Sequence, residues 1–355
     1  MDEAAQVNLL EGLLARYSPT GQEAGAVEYL VAQMQQLGFA AQADEIGNAV
    51  GSVGSGSNQI ILLGHIDTVP GEIPVRRDGD TLWGRGSVDA KGPLACFVAA
   101  AALANQAGLA AGWQITVIGA LAEEGDSRGA KFIKDRYHPT YCVIGEPSSW
   151  DHVTLGYKGS AWFEYKTSLP MAHTAAASES ACETAICFWN AFQSRRETFN
   201  QGRERAFDQL TTSLRSMNSG HDGFYDTAEL QFNLRLPPDL GPEQAREMLS
   251  PLAGSANLTM TDGIECYRAD KNTPLVRAFL AAIRSQGSKP GFLLKTGTSD
   301  MNIVGPAWNC PILAYGPGDS HLDHTPNEHV MVSEYLQSVQ VLSKVLLNLT
   351  LTGSI

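Results

Sequence analysis

Three strand-length apolar runs, at 60–64, 115–122 and 141–145, each stop on acidic or imidazole groups: His65 and Asp67, then Glu123 and Glu124, then Glu146. Helical stretches at 92–107 and 127–136 lie between them, and buried strands alternating with helices are the grammar of a parallel α/β sheet. In such a sheet the carboxyl ends of the strands share one edge, and ligands bind in the crevice there. The pattern therefore predicts that side chains far apart in the chain meet at one place.

Amphipathic helices are expected at 2–17 and 22–36, with SPTGQE between them as turn and cap. From about Tyr157 the pattern changes. Residues 160–168 and 228–236 alternate apolar and polar, as half-exposed antiparallel strands do. With helices at 177–192 and 241–253 and strands at 209–217 and 257–267, the order is β-α-β-β-α-β, the split βαβ arrangement of a ferredoxin-like domain. The α/β grammar then returns, with a helix at 273–286, strands at 292–295 and 311–315, and a helix at 333–349. The fold class read from this is α/β: a mixed, mainly parallel sheet domain, 1–156 and 268–355, interrupted by an inserted α+β domain, 157–267. GSVGSGSN at 51–58 is expected to be a flexible tract.

Composition excludes several classes of function. Against 25 Lys and Arg stand 38 Asp and Glu, a formal charge of −13, so the chain lacks the basic surface that nucleic acids require. The longest apolar stretch, 94–104, is too short to cross a hydrocarbon core of roughly 30 Å, so no membrane is expected either. MDEAAQVNLL begins acidic and lacks the cationic start of a secretory signal, which makes a cytoplasmic location the expectation. The 6 cysteines are scattered without a C-x-x-C pair, as buried thiols in a reducing compartment would be.

Two further segments carry titratable groups. GRGSVD delivers Asp89 just ahead of a helix opening with Lys91-Gly92-Pro93, and GPGDSHLDHTPNE holds His321, His324 and Glu328. So many carboxylates in a partly buried cleft, without a local excess of Lys or Arg, repel one another, and a cation must sit among them. A pair of divalent metals supplies that charge. Two histidines with several carboxylates suit Zn²⁺, with Co²⁺ or Mn²⁺ as substitutes. In His65-Ile66-Asp67 the strand period of two puts both side chains on one face, so that Asp67 can hold the imidazole. Adjacent glutamates at a strand end point to different sides, leaving one for metal and one for proton transfer. Each piece has a plainer reading: a surface His–Asp pair, glutamates at a helix start, Asp89 as an N-cap, Glu146-Pro147 as a turn. Their coincidence at strand ends of one sheet argues for the metal.

GHIDTVPG, LWGRGSVDAKGPLA, EEGDSRGA, GEPSSW, KGSAWFEY and GPGDSHLDHTPNE follow one another in the order and spacing of the M20 family, which the chain resembles over nearly its whole length. That is a family of dinuclear zinc metallopeptidases and amidohydrolases with an inserted lid and dimerisation domain. The resemblance implies two Zn²⁺ per subunit, His65, Asp89 and Glu124 on one, with Asp89 bridging to a second held by Glu146 and His324. It implies that Asp67 orients His65, that Glu123 is the general base, and that His321 lies at the surface. His173 matches a histidine that reaches the substrate carbonyl from the neighbouring subunit of a homodimer, and Arg235 matches a lid arginine that pairs with a substrate carboxylate. With Thr298 of KTGTSDMN they form the expected substrate-binding set. KTGTSDMN, SPTGQE and LGYKGSAWFEY look most like the family's hydrolases that release lysine or ornithine from an amino-group carrier protein, also described as N-acetyl-lysine deacetylases. The chain departs from the broader family at Gly223-Phe224-Tyr225-Asp226-Thr227, where many members have Asn-x-x-Pro.

Other readings are weaker. Gly125-Asp126-Ser127-Arg128-Gly129 fits G-x-S-x-G, with Asp300 and His324 following in α/β-hydrolase order, but the strand would have to end at the serine, and Glu123-Glu124 intervenes. A non-catalytic binding protein would lack a ligand or the base, and none is missing. The H-E-x-x-H zinc signature is absent.

Overall fold

Helix α1 (Glu3–Leu14) begins where the Asp2 carboxylate accepts the Ala5 N–H at 2.8 Å, and it buries Val7, Leu10 and Leu14 at helical spacing. Helix α2 (Ala24–Gln36) does the same with Val27, Leu30 and Met34. The structure, a computed structural model, describes residues 1–352. It continues with β1 (Ala40–Ala43), β2 (Ala49–Gly54), β3 (Asn58–His65), β4 (Arg76–Asp78), β5 (Thr81–Trp83), α3 (Lys91–Ala107), β6 (Trp113–Ala120), α4 (Arg128–Ile133), β7 (Tyr141–Gly145) and β8 (His152–Tyr157). Then come β9 (Gly159–Pro170), α5 (Ala181–Asn200), β10 (Thr211–His221), β11 (Tyr225–Leu236), α6 (Pro242–Leu249), β12 (Asn257–Ile264) and β13 (Tyr267–Arg268). The chain ends with α7 (Pro274–Ser285), β14 (Gly291–Lys295), α8 (Met301–Trp308), β15 (Ile312–Ala314), β16 (His329–Met331) and α9 (Val332–Thr352).

The described residues divide into two units. The first combines Met1–Gly156, Ala269–Leu293 and the chain from Ser299 onward; the second is Tyr157–Arg268 with Leu294–Thr298. Residues 294–298, read from sequence with the first domain, thus cluster with the inserted one.

In the first unit the strands run β1-β2-β6-β3-β7-β15-β8, with β3 parallel to β6 and β7, β15 parallel to β7, and antiparallel pairs toward both ends. Strands β3, β6 and β7 read as continuous apolar runs because both their faces are covered. Helix α3 is buried along almost its full length, and its run of alanines lets it lie close against the sheet and against α1 and α9. The tract at 51–58 differs from the sequence reading: Ala49–Gly54 is strand β2, paired antiparallel with β6. Its small residues serve packing, since a Cβ on Gly51 would stand 2.5 Å from the Met34 sulfur. Helix α8 was not anticipated either; Pro306 within it reads as a breaker.

The second unit is one antiparallel sheet, β10-β11-β9-β12, carrying α5 and α6. Inward residues of β9 and β11 stack with α5 in an aromatic core, with Tyr165 on Phe188 at 4.2 Å and Phe163 on Phe232 at 5.5 Å between ring centres. Ser180 and Glu183 form a capping box that starts α5 at Ala181, later than the 177 the apolar pattern suggests, and the helix runs on to Asn200. Lys158 is fully buried here, donating to the Ala206 and Gln209 carbonyls.

Candidate metal centre

The register of the parallel strands builds the site. His65 at the end of β3 lies beside Ala120 at the end of β6, and Gly64 lies beside Gly145 at the end of β7. One residue past β7 is Glu146, and three and four past β6 are Glu123 and Glu124. Asp89 arrives from the loop that leads into α3, and His324 from the loop before β16.

Asp89 stands between the two histidines. Its Oδ1 is 3.1 Å from His65 Nε2 and its Oδ2 is 3.0 Å from His324 Nε2. Glu124 Oε1 reaches His324 Nε2 at 2.9 Å, and Glu146 Oε1 approaches His65 Nε2 at 4.0 Å. Ligand atoms of His65, Asp89 and Glu146 lie within 4.8 Å of one another, as do those of Asp89, Glu124 and His324, and those of His65, Glu123 and Glu124. By distance Glu146 falls with His65, and Glu124 falls with both His324 and His65; the resemblance implies Glu124 with His65 and Glu146 with His324. Both β6 and β7 flank β3, so strand order brings both glutamate segments beside His65, and it is the loop after β6 that carries Glu124 on to His324.

Asp67 does more than face an imidazole. Its Oδ1 accepts the Glu123 N–H at 3.0 Å, and its Oδ2 accepts the Glu124 N–H at 3.2 Å and the Thr20 hydroxyl at 2.7 Å. His65 Nδ1 lies nearer the Asp67 carbonyl oxygen, at 3.0 Å, than its carboxylate, at 3.5 Å. Thr20, in the segment read as turn and cap, was missed; its signal was the polar SPTGQE placed before a helix. Ala122 and His324 both adopt left-handed backbone, φ 58 and φ 61, a conformation costing a non-glycine residue about 1–3 kcal/mol and found where surroundings over-determine a site.

The electrostatics are those of an anion cluster. Burial pushes the Glu123 carboxyl well above the usual range, aided by the charges of Glu146, Asp300 and Glu124, and burial with Asp89, Asp323 and Asp300 does the same to Glu146. Glu124 is also raised, chiefly by burial. Burial opposes charge on His65, yet hydrogen bonds to Asp67 and Asp89 outweigh it and raise its pKa well above normal. Hydrogen bonds to Asp89 and Glu124 lift His324 to about 10. Burial brings Asp300 up to about 7, and its Oδ1 has no hydrogen-bond partner. Carboxylates packed so closely resist sharing one cavity as anions, and the two imidazoles with their oxygen neighbours form a nitrogen–oxygen donor set that fits divalent transition metals. The residues fit a metal pair.

The other sequence candidates lie elsewhere. His321 is exposed and pairs with Asp319 at 2.7 Å. His173, Arg235 and Thr298 belong to the second unit, where Arg235 donates to Thr298 Oγ1 at 3.1 Å and His173 is an exposed loop residue accepting the Ala175 N–H. The serine-hydrolase reading finds no support: β6 ends at Ala120, well before Ser127, and His324 Nε2 is engaged by Asp89 and Glu124. Among the described residues, no helix is long and apolar enough to cross a membrane.

The profile of peptidase family M20/M25/M40 matches residues 61–348. The chain is 42% identical over 355 residues to the LysW-lysine hydrolase of Deinococcus radiodurans, spanning 98% of each. To the LysW-lysine/LysW-ornithine hydrolase of Sulfurisphaera tokodaii it is 28% identical over 329 residues, spanning 92% of this chain and 90% of that one. In fold it is similar to a tripeptidase from Staphylococcus aureus, with a TM-score of 0.81 and 18% identity over 99% of this chain and 100% of that one.

Proposed function

Because the chain belongs to peptidase family M20/M25/M40, we propose that it is a metal-dependent amide hydrolase that releases lysine or ornithine from an amino-group carrier protein. The observation that carries this reading is Asp89, held between His65 and His324 by its two oxygens. One carboxylate placed so suits two cations. In this reading His65, Asp89 and Glu146 hold one metal and Asp89, Glu124 and His324 the other. Two divalent ions bound there supply Lewis acidity, which polarises an amide carbonyl and lowers the pKa of water. Zn²⁺ is the metal the donor set favours, with Co²⁺ as substitute.

Glu123 is the general base. It shares the cavity with His65 but is grouped with neither histidine pair that flanks Asp89. Its carboxylate takes a proton from the attacking water and returns it to the departing amine. Asp67 keeps Glu123 and Glu124 in place through their backbone N–H groups. Arg235 and Thr298 of the second unit, acting as a lid and dimerisation domain, bind substrate, and His173 steadies the oxyanion of a neighbouring subunit. A homodimer formed through the lid is supported by β10, an edge strand of 11 residues exposed along most of its length. A cytoplasmic location agrees with a carrier-protein substrate.

The test is a side-by-side assay of a carrier-protein lysine conjugate, its ornithine counterpart, N-acetyl-lysine and N-acetyl-ornithine, on protein stripped by chelator and reloaded with Zn²⁺ or Co²⁺. The conjugates are expected to be turned over with the highest kcat/KM, and only after reloading. Equal activity of the stripped protein would overturn the metal role, and a preference for free acetylated amino acids would overturn the carrier substrate. Light scattering on an eluting column reads the dimer.

A further inference from the structure

We propose that Glu328 is the positioning residue that ties the Asp89 loop to the His324 loop, and so sets the spacing of the metal centre. This rests on the metal-hydrolase reading above. Glu328 has no exposed surface, yet it touches none of the clustered ligand atoms. Its Oε1 accepts the backbone N–H groups of Val88, at 2.9 Å, and of Asp89 itself, at 3.0 Å. Its Oε2 accepts Arg85 Nη1 at 2.9 Å, and Arg85 Nε in turn donates to the Gly71 carbonyl at 2.8 Å. One carboxylate thereby fastens the whole turn from Arg85 to Asp89.

The same residue closes the other loop. Glu328 follows His324 by four residues and immediately precedes β16, whose His329 pairs in register with Trp83 of β5. The backbone of the 324–328 turn is therefore anchored at its far end by the carboxylate that anchors Asp89. Positions about 240 residues apart in sequence are referred to one point. Asp89 Oδ2 and His324 Nε2 stand 3.0 Å apart, a separation in which a shift of either loop changes how both face a shared cation. Groups that orient ligands in this way alter metal affinity or activity by roughly 10–100-fold when replaced. A buried ion pair does not explain the arrangement alone, because Arg85 needs one oxygen and the second is spent on backbone N–H groups next to the bridging ligand.

The experiment is a chelator-competition titration of stripped protein with Zn²⁺, for wild type, Glu328→Gln and Asp80→Asn, alongside thermal melts of the stripped proteins. Asp80 is the control: its carboxylate caps α9 through Ser333 and contacts nothing in the cluster. Glu328→Gln keeps an oxygen for the N–H groups but sets an amide against Arg85. It is expected to weaken Zn²⁺ binding by about 10–100-fold, and at saturating metal to lower kcat while leaving KM within twofold. Asp80→Asn is expected to lower the melting temperature with unchanged Zn²⁺ affinity. Wild-type affinity in Glu328→Gln, or equal weakening in Asp80→Asn, overturns the proposal. Should Glu328→Gln fail to fold by circular dichroism, Arg85→Lys is read in the same titration, and wild-type affinity there overturns it too. A wild type that takes up no Zn²⁺ would instead refute the metal-hydrolase reading.

Discussion

Asp67 and Glu123 illustrate how one side chain can serve a site by holding another's backbone. The Glu123 N–H is fixed on Asp67 Oδ1, so the backbone that carries the carboxylate is held from outside it. Glu123→Gln is therefore expected to bind metal as wild type does and to lose about 10²–10⁴-fold in kcat, measured by metal analysis and steady-state kinetics on the same sample. At a second position the chemistry is pH. Burial depresses the Lys158 ammonium from its ordinary 10.5 to about 8. Between those values the unfolded chain binds more protons than the folded one, so stability contributed by Lys158 rises as pH climbs through that window, and below it the buried charge is a cost. Denaturant midpoints should thus move in favour of wild type over Lys158→Met between pH 7.5 and pH 10.5. The sequence marked Asp67, Glu123, His65, Glu124 and Glu146 because each stands at the end of an apolar run, and it marked Asp89 and His324 through the motifs of two loop segments. Thr20 and Lys158 carried no such marker, since a threonine in a turn and a lysine between two strands are ordinary.

Elements position these residues through close approach as much as through hydrogen bonds. The segment between β6 and α4 carries Glu123 and Glu124, and Asn48 secures it by accepting the Leu121 N–H at 3.0 Å. Gly129, at the start of α4, sits against the same backbone: a Cβ there would be 2.4 Å from the Leu121 nitrogen and 2.7 Å from the Asn48 side-chain oxygen. Neither neighbour is a flexible side-chain tip. Gly129→Ala is accordingly expected to push α4 off Leu121, lowering stability by about 1–3 kcal/mol and reducing kcat/KM together with it, as read by urea unfolding and kinetics. The 125–129 segment satisfied a nucleophile-elbow pattern in sequence, yet its glycine at 129 is required by this packing. Strand β2 teaches the same lesson, because glycine and serine read as flexibility in one dimension and as room for α2 in three.

At the scale of the molecule, the first unit is assembled from both ends of the chain. Strand β15 pairs with β7 at Ile312–Cys142, Leu313–Val143 and Ala314–Ile144, and α9 packs on α3. A fragment of residues 1–156 lacks both and exposes the buried faces of β7 and α3. It is expected to aggregate or to lack a cooperative melt, checked by calorimetry and limited proteolysis, and a soluble fragment with a sharp melt would contradict this assembly. The formal charge of −13 also belongs partly to this scale, because several of its carboxylates are gathered at one sheet edge, where divalent cations would offset them. By itself the sequence determined which strands are buried, that their carboxyl ends lead into imidazole and carboxylate groups, and that an α+β segment interrupts the sheet domain. Those follow from local periodicity and from the shared direction of parallel strands. Only the tertiary structure decided that Glu146 lies within reach of His65 and Glu124 of His324, that Asp67 holds two backbone N–H groups, and that Glu328 joins two loops. These depend on strand order and loop register, which the periodicity of a chain does not encode.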